Sequence, residues 1–390
     1  MIRTFSAFTT EIDAVEKAVT QICSQLPPAD QLLPHTIGLV SCVPEFVETG
    51  VVKALQETLP FALIGQTTIA AASPGSSSLE ILNVLVITSD ELEFVLGQTK
   101  PITEENAELI SESYRAAIGD RAEKPAFVLV YAPLLHTVGG DFFVDVFDEL
   151  TDHTPVFGSL AVDNTIDYRK SRVIYQGEAT PDRIAFLAVY GDVRPRFYQA
   201  TISGDSIFEE KGVVTSSDGN QLKTVDGKPA VEFLKSKGLV TDANGVIEGV
   251  NSFPYIVDFN DGTPPVIRVI FATTPEGYAV CLGDIPEGST LSVGFFNEDE
   301  ILATTRARLA SFSTNEDQHA GIIFSCVGRY FTMVLDPAGE VDAVHEFVDP
   351  FGKPYLFAYS GGEICPVTNI VDGASLTNRF HNATFVALVF

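Results

Sequence analysis

Basic side chains are scarce in this sequence of 390 residues: 24 Lys and Arg stand against 52 Asp and Glu, a formal net charge of −28. A nucleic-acid partner needs a basic face to meet its phosphates, so this balance argues strongly against nucleic-acid binding. It also argues against attachment to anionic membrane surfaces. A charge of this size mainly keeps a protein soluble.

Long apolar runs are missing as well. No stretch approaches the ~18–20 residues that cross a bilayer. The N-terminus, MIRTFSAFTTEIDAVEK, becomes acidic before an apolar core of signal-peptide length can form. We therefore expect a cytoplasmic protein without membrane insertion. The Asn-x-Thr sequon at Asn382 would then not meet the glycosylation machinery, so we expect no glycan there.

Cysteine and histidine are few and scattered. The chain has an odd number of cysteines and no C-x-x-C, which favours reduced thiols over a disulfide framework. The five cysteines are Cys23, Cys42, Cys281, Cys326 and Cys365. The six histidines never pair at i, i+3 or i+4. The sequence therefore predicts neither a disulfide scaffold nor a metal site.

Familiar catalytic and cofactor motifs are also absent. The chain contains no G-x-S-x-G, no H-E-x-x-H, no phosphate-binding loop with its Gly-Lys-Ser/Thr ending, and no G-x-G-x-x-G after a strand. The fragments DANG (242–245) and DFNDG (258–262) lack the spacing and the distal Glu of a calcium loop. We therefore predict a protein that is not an enzyme of these classes and that holds no cofactor.

One pattern occurs three times. TIGLVSC (36–42), AFVLVYAP (126–133) and GIIFSCVGR (321–329) each predict a buried strand. Each is preceded by one amphipathic helix, and it is followed by a second helix, a strand ending near glycine and a final strand. The repeated unit is therefore βαβαββ, about 90–100 residues long, with copies near 2–90, 91–192 and 289–390. In this alignment Cys42 and Cys326 occupy equivalent positions.

A divergent insert of one period, 193–288, separates the second and third copies. It carries Asp-Gly turn signals, a short helix in KPAVEFLKSKGL and an antiparallel hairpin in PPVIRVIFATTPEGYAVCLGDI. The mixed order of helices and strands predicts an α+β or mixed α/β fold of layered sheets with helices. We place the domain boundary between residues 195 and 196.

The loops at strand ends are the remaining candidates for a site, because layered α/β folds often bind ligands there. Three segments of the third copy are richest: FSCVGR with Cys326 and Arg329, AYSGGEICP with Ser360, Gly361, Gly362 and Glu363, and FHNAT with His381 and Asn382. Arg329 could clamp a carboxylate and Glu363 could receive an ammonium group. An amino acid would satisfy both.

These segments also carry a resemblance. DGKPAVEFL, FSCVGR, GGEICP and FHNAT resemble the C-terminal half of the FIST family of bacterial signal-transduction sensors, whereas VPEF, LIGQTT, GDFFVDVFDEL, VFGSLAVDN and YGDVRPRF resemble its N-terminal half. The resemblance implies a FIST N-terminal domain at 1–195 and a FIST C-terminal domain at 196–390. It also implies an intracellular sensor of amino acids or related small metabolites.

The resemblance leaves several alternatives open. One branch of the family is associated with haem and nitric oxide, so a haem-based gas sensor is a further hypothesis. A third hypothesis is a hydrolase or lyase that uses Glu363 with His381 or Cys326. FIST modules are often fused to a kinase, cyclase or chemoreceptor, and this chain ends at Phe390, so we expect signalling through a separate partner of that kind. GQTTIAAAS lacks the acid that is common in the family at this place. For each predicted site residue, the alternative to ligand binding is a structural role.

Overall fold

The computed structural model describes residues 1–135, 137–165, 167–238, 240–241, 247–248, 253–312 and 318–390. The DANG fragment lies outside these residues. Within them, no helix is long and apolar enough to cross a membrane.

The first two copies of the repeat have corresponding elements, except that the second helix is divided in two in the first copy and the short strand before the last is doubled in the second. The first copy comprises β1 (Ile2–Thr9), α1 (Val15–Gln25), β2 (His35–Cys42), α2 (Glu45–Glu48), α3 (Val51–Thr58), β3 (Ala62–Thr67), β4 (Ala71–Ala72) and β5 (Leu82–Ser89). The second comprises β6 (Glu93–Gln98), α4 (Ala107–Ile118), β7 (Phe127–Pro133), α5 (Gly140–Leu150), β8 (Val156–Ala161), β9 (Val173–Tyr175), β10 (Glu178–Thr180) and β11 (Ala185–Tyr190).

The third copy is interrupted by the insert. It opens with β12 (Arg196–Ala200). The insert follows as β13 (Gly212–Asp218), β14 (Gln221–Val225), β15 (Lys228–Pro229), α6 (Ala230–Ser236), β16 (Val240–Thr241), β17 (Ile247–Glu248), β18 (Tyr255–Asp258), β19 (Val266–Arg268), β20 (Ile270–Thr273), β21 (Ala279–Cys281) and β22 (Thr290–Val293). The copy then resumes as α7 (Glu298–Ala310), β23 (Gly321–Cys326), α8 (Val327–Thr332), α9 (Gly339–Val348), β24 (Tyr355–Ser360), β25 (Glu363–Thr368), β26 (Leu376–His381) and β27 (Phe385–Val389).

Each copy builds a sheet with the same strand order. The orders are β1-β5-β2-β3, β6-β11-β7-β8 and β12-β27-β23-β24. In every case the two inner strands of the βαβ unit run parallel and the other pairs are antiparallel. The predicted layered α+β fold with three related units and one insert is confirmed. The start of the third copy at residue 289 was wrong, because the insert enters after the first strand of that copy.

The copies exchange the short strands that follow their third strand. Strands β9 and β10 of the second copy extend the first sheet beyond β3, and β25 and β26 of the third copy extend the second sheet beyond β8. Strand β4 of the first copy pairs with β24 of the third sheet. The exchange is cyclic, so each of these three sheets contains strands from two copies. The predicted boundary at residues 195 and 196 falls between β11 and β12, and sheets are shared across it.

The three sheets turn one face to a common core and cover the other face with their own helices. The common core contains Leu39, Leu129 and Ile322, which occupy corresponding positions in β2, β7 and β23. The opposite faces pack against the helices in three separate clusters, one for each copy. The insert has its own small core between antiparallel strands and α6. The alternation of inward and outward side chains follows from the two-residue period of a strand.

In the first two copies, one position of the third strand has no room for a side chain. A Cβ at Gly65 would lie 1.7 Å from the Val40 carbonyl oxygen, and one at Gly158 would lie 2.0 Å from the Val130 carbonyl oxygen. No side chain fits at those distances, so these positions require glycine for the close approach of the parallel strands.

Candidate functional site

Near the carboxyl ends of the parallel strands, the side chains that face the common core are polar instead of apolar. Ser41 follows Leu39 on the central face of β2, and Tyr131 follows Leu129 on β7. The partner strands β3, β8 and β24 contribute Gln66, Ser159 and Ser360. With Glu363, the first residue of β25, these side chains form what we call the polar belt: Ser41, Gln66, Tyr131, Ser159, Ser360 and Glu363. All six are fully buried.

The belt is continuous from the first copy to the third. The Ser159 hydroxyl donates a hydrogen bond of 2.9 Å to Gln66 Oε1 and so links two sheets. Ser159 lies directly opposite Glu363 in the pairing of β8 with β25. The Ser360 hydroxyl donates to Glu363 Oε1 at 2.6 Å. A single polar surface therefore passes through residues that lie far apart in the sequence.

Several atoms of the belt lack a well-formed hydrogen bond. Ser41 Oγ, Gln66 Nε2, Tyr131 OH and Glu363 Oε2 are buried, and none has such a bond to the residues that the structure describes. A buried polar atom left without a partner costs about 1–3 kcal/mol, and such atoms are few in native proteins. Ser41 and Gln66 lie side by side in the first sheet, and Tyr131 and Glu363 flank Ser159 in the second.

Glu363 dominates the electrostatics of the belt. Burial raises the pKa of its carboxyl well above the usual value, and the Ser360 hydroxyl, the charge of Arg329, the Thr384 N–H and the Cys326 thiol oppose that shift only in part. The empty site therefore favours the neutral carboxyl at pH values where an exposed Glu is ionised. A cation that enters the belt would restore the negative charge.

Cys326 lies on the central side of its strand, beside Glu363. Burial, followed by the nearby Glu363 carboxyl, raises the pKa of the thiol far above its ordinary value, which makes it a poor nucleophile. The predicted equivalence with Cys42 was wrong. Cys42 packs under the helices of the first copy, whereas Cys326 alternates with the central Phe324.

A second buried carboxyl approaches the same region from the second copy. Asp163 follows β8 and is fully buried; its Oδ1 accepts from the Thr165 N–H, and its Oδ2 has no partner. Tyr168, which is half-buried, lies near Cys326 and Asp163. Burial, followed by these two groups, raises the pKa of its phenol to about 12. The belt is thus bordered by the loop that follows β8.

His381 pairs with Glu363 across β25 and β26, on the same face of the sheet. The imidazole is buried, its Nε2 lies 3.0 Å from the Cys365 carbonyl oxygen, and its Nδ1 has no partner. Burial lowers the pKa of His381 to about 4, so the ring is neutral at physiological pH. Glu363 and His381 thus form their side-chain hydrogen bonds with other groups and not with each other. The hydrolase hypothesis therefore gains no acid–base pair from these two residues.

Asn382 connects the site with the insert. Its Oδ1 accepts from the Val269 N–H at 3.3 Å, and its Nδ2 donates to the His381 carbonyl oxygen at 3.2 Å. The Thr384 hydroxyl closes the turn on the Asn382 carbonyl at 2.9 Å. Ala383, between them, has a φ of 48°, a left-handed conformation that this turn must stabilise.

Arg329 lies on the helix side of the third sheet and is fully buried. Its guanidinium forms a salt bridge of 2.8 Å with Glu340, and it also donates to the Thr305 hydroxyl and to backbone carbonyls. Glu340 accepts further hydrogen bonds from Thr305 and Ser325. The donors of Arg329 are therefore used within the protein, and it does not face the belt.

Gly361 and Gly362 form the turn between β24 and β25. The Gly361 N–H donates to the Leu160 carbonyl at 2.8 Å, and the Leu160 N–H donates to the Gly362 carbonyl at 3.0 Å. Gly362 has a φ of 148°, and a Cβ there would lie 2.4 Å from the Phe380 ring. These glycines make the turn that brings Glu363 next to Ser360.

The structure thus brings together Cys326, Ser360, Glu363 and His381 of the predicted site and assigns the other predicted residues to turns and a buried ion pair. Sequence reasoning missed Ser41, Gln66, Tyr131 and Ser159, which stand inside or beside apolar runs. The repeat was the signal that could have found them, because it aligns the ends of the parallel strands. Among the described residues, no three His, Cys, Asp or Glu side chains are placed to hold a metal ion.

Comparison with known families identifies the class of protein. The FIST N domain matches residues 36–228 and the FIST C domain matches residues 230–366. The chain therefore belongs to the FIST family, and the family prediction is confirmed. FIST domains are signal-transduction sensor domains, which supports a sensory role.

Solved structures show only distant likeness. Cyanuric acid hydrolase from A. caulinodans is 10% identical, with a TM-score of 0.35, and the match covers 100% of this chain and 99% of that one. PurLQS from Thermotoga maritima is 10% identical, with a TM-score of 0.20, and the match covers 100% of this chain and 72% of that one. No curated protein matches the chain.

Proposed function

We propose that this protein is a cytoplasmic sensor that binds a small metabolite with a protonated amino group, such as an amino acid, at the polar belt. Ligand occupancy is passed to a separate signalling protein. The observation that carries the proposal is Glu363, a fully buried carboxyl whose Oε2, like polar atoms of its neighbours in the belt, has no well-formed hydrogen bond to the described part of the chain.

An ammonium group supplies what Glu363 lacks. The carboxyl has a raised pKa because burial is not offset by a dedicated cation. The nearest buried guanidinium, Arg329, is already paired with Glu340. A ligand amine within hydrogen-bond distance of Oε2 would form a charge-assisted bond, which is stronger than a bond between neutral groups. Amine binding would therefore be coupled to loss of the carboxyl proton.

The remaining atoms of the belt suit the other end of an amino acid. Gln66 Nε2 and the hydroxyls of Tyr131 and Ser41 are unpartnered donors, and a ligand carboxylate accepts hydrogen bonds. Gln66 is held in place by Ser159, the same residue that lies opposite Glu363. Tyr131 lies opposite Ser159, and Ser159 lies opposite Glu363, so these three side chains share one face of the second sheet.

A thermal-shift screen tests the proposal. The panel contains the proteinogenic amino acids, simple amines and carboxylic acids of similar size that lack an amine. A ligand that binds only the native state raises the melting temperature in a saturable manner. We expect a shift from at least one amine-bearing compound and none from its counterpart without the amine. A panel without any saturable shift would overturn the proposal.

Two variants locate the binding site. Glu363→Gln keeps the shape and removes the charge, so we expect the dissociation constant of the ligand found in the screen to rise about ten- to a hundredfold. Glu346→Gln, at an exposed glutamate on α9, is the matched control and should bind as the parent does. Equal affinity in the Glu363→Gln variant would place the ligand elsewhere.

A further inference from the structure

An exposed apolar cluster lies at the end of the short helix that leaves the site. Phe331, Val334 and Leu335 are 45%, 76% and 90% exposed. Isolated exposed apolar side chains are ordinary on protein surfaces, but a contiguous group marks an interaction site. Here three of them fall within five consecutive positions. We call them the α8 cluster.

The segment that carries the cluster is firmly anchored on its other side. Val327, Arg329 and Met333 are buried, and the Met333 N–H donates to the Arg329 carbonyl at 3.1 Å. Tyr330 packs against Tyr359 at 5.0 Å between ring centroids. Phe331 therefore belongs to a helix whose other side is buried, and Val334 and Leu335 follow directly after it in the short connection to α9. Their exposure is a property of the folded state.

The α8 cluster is also directly linked to the polar belt. Helix α8 begins immediately after Cys326, which is the residue next to Glu363. Arg329, two residues before Phe331, is tied to Glu340 at the start of α9. Any movement of Cys326 upon ligand binding would therefore be transmitted through α8 to the cluster. This gives the cluster a physical connection to the site.

The surroundings of the cluster are acidic. Between Tyr330 and Val344 the surface carries the acids Asp336 and Asp342, and the sequence has no Lys or Arg there. The Leu335 N–H donates to Glu298 Oε2 at 3.3 Å, which brings the acidic first turn of α7 beside the cluster. A second copy of this chain would meet the same acidic border, and an anionic lipid surface would be repelled.

We propose that the α8 cluster is the docking surface for a signalling protein that presents an apolar pocket bordered by Lys and Arg. The inference rests on the proposed signalling function and names the surface through which it acts. Apolar side chains that enter a desolvated pocket supply most of the affinity of an interface, and the complementary charges around them speed association. Val334 and Leu335, the most exposed members, are the side chains that enter the pocket.

Photo-crosslinking identifies the partner. Leu335→p-benzoylphenylalanine is expressed in cells of the natural host, irradiated, and the covalent adduct is identified by mass spectrometry. The protein found is then purified and titrated against the full chain. We expect a 1:1 complex whose affinity falls as salt is raised. An adduct only with a second copy of this chain or with lipid, or no adduct at all, would overturn the proposal.

Matched surface variants show whether the cluster carries the binding. Val334→Ser with Leu335→Ser should raise the dissociation constant of the purified complex at least about tenfold. Val371→Ser is the control, because Val371 is 85% exposed on the β25–β26 hairpin. Unchanged affinity in the double variant would contradict the proposal.

Ligand binding must be measured separately in the same proteins. The double variant should give the same thermal shifts as the parent with the amino-acid and amine panel, because Val334 and Leu335 are not in the polar belt. A panel that yields no ligand would count against the proposed ligand site alone. Loss of the panel's shifts in the double variant would contradict a role confined to docking.

Discussion

Arg329 and Glu340 form a salt bridge of 2.8 Å in which both side chains are completely buried. Thr305 and Ser325 complete the hydrogen bonds of the carboxylate. Removing two charges from water is costly, and such a pair is tolerated only when the geometry and the additional hydrogen bonds are good. The pair joins the beginning of α8 to the beginning of α9, so it fixes the helix that leaves the polar belt.

Breaking this pair should be strongly destabilising. We expect Arg329→Met to lower the free energy of unfolding by about 3–5 kcal/mol, because Glu340 would remain as an unpaired buried charge. Arg306→Met is the matched control: its 3.8 Å contact with Glu346 is exposed and should contribute less than about 1 kcal/mol. Urea unfolding provides the measurement. Similar losses in both variants would show that burial of the pair has no special cost.

The charge state of Glu363 makes a prediction about pH. Its pKa is raised in the folded protein, so the folded state retains a proton that the unfolded chain has lost. The site therefore lowers stability increasingly as the pH rises above the ordinary Glu value of about 4.3. Glu363→Gln should melt at a higher temperature than the parent, and the difference should be larger at pH 8 than at pH 5. A constant difference would refute this assignment.

Ligand binding should release a proton from the same carboxyl. An amine that requires ionised Glu363 will bind more tightly as the pH rises, by up to about tenfold per unit below the pKa of the empty site. Calorimetry in buffers of different ionisation enthalpy measures the proton directly. In Glu363→Gln any residual binding should release none. Binding by the parent without proton release would mean that the ligand amine does not meet Glu363.

His381 has the opposite effect on stability. Its pKa falls from 6.5 to about 4 because burial disfavours the charged ring. Above pH 6.5 the buried neutral ring does not reduce the free energy of unfolding. As the pH falls from 6.5 towards 4, the free energy of unfolding decreases by about 3 kcal/mol in total. His381→Gln keeps a polar group near the Cys365 carbonyl but cannot titrate. Its stability should therefore fall less between pH 7 and pH 4.5, and parallel curves for the two proteins would contradict this explanation.

The attachment of the insert should depend on Arg268. This fully buried guanidinium pairs with Asp141 at 2.8 Å and donates to the Phe380 carbonyl at 3.0 Å. Arg268→Met should accelerate proteolysis of the insert because Asp141 loses its cation. Arg306→Met is the control, because its contact with Glu346 is exposed and lies outside the insert. Equal cleavage rates in the two variants would show that Arg268 has no special role.

The repeat and its helices could be predicted because each element has a strong pattern. Period-two and period-3.6 apolar spacing locates strands and helices, and Gly65 and Gly158 mark the third strand of two copies. The exchanged strands could not be predicted in the same way. Strand β4 consists of Ala71 and Ala72 alone, which have no alternation to detect, and its partner β24 lies almost 300 positions away.

The site was predictable only in part for a similar reason. Glu363 and Ser360 stand next to a glycine turn, a context that suggests a ligand loop. Gln66 and Tyr131 lie within apolar segments, where a single polar residue gives no indication of which side chains it meets. Glu340 resembles a surface position in an amphipathic helix, and only the fold shows that it is the buried partner of Arg329.

The cyclic exchange of strands repeats each strand-end position three times within one chain, as a closed ring of three identical subunits would. Ala71 opposite Ala358, Val173 opposite Gln66 and Glu363 opposite Ser159 occupy the same place in the three sheets. Three carboxylates there would repel one another, and of the three corresponding positions only that of Glu363 carries an acid.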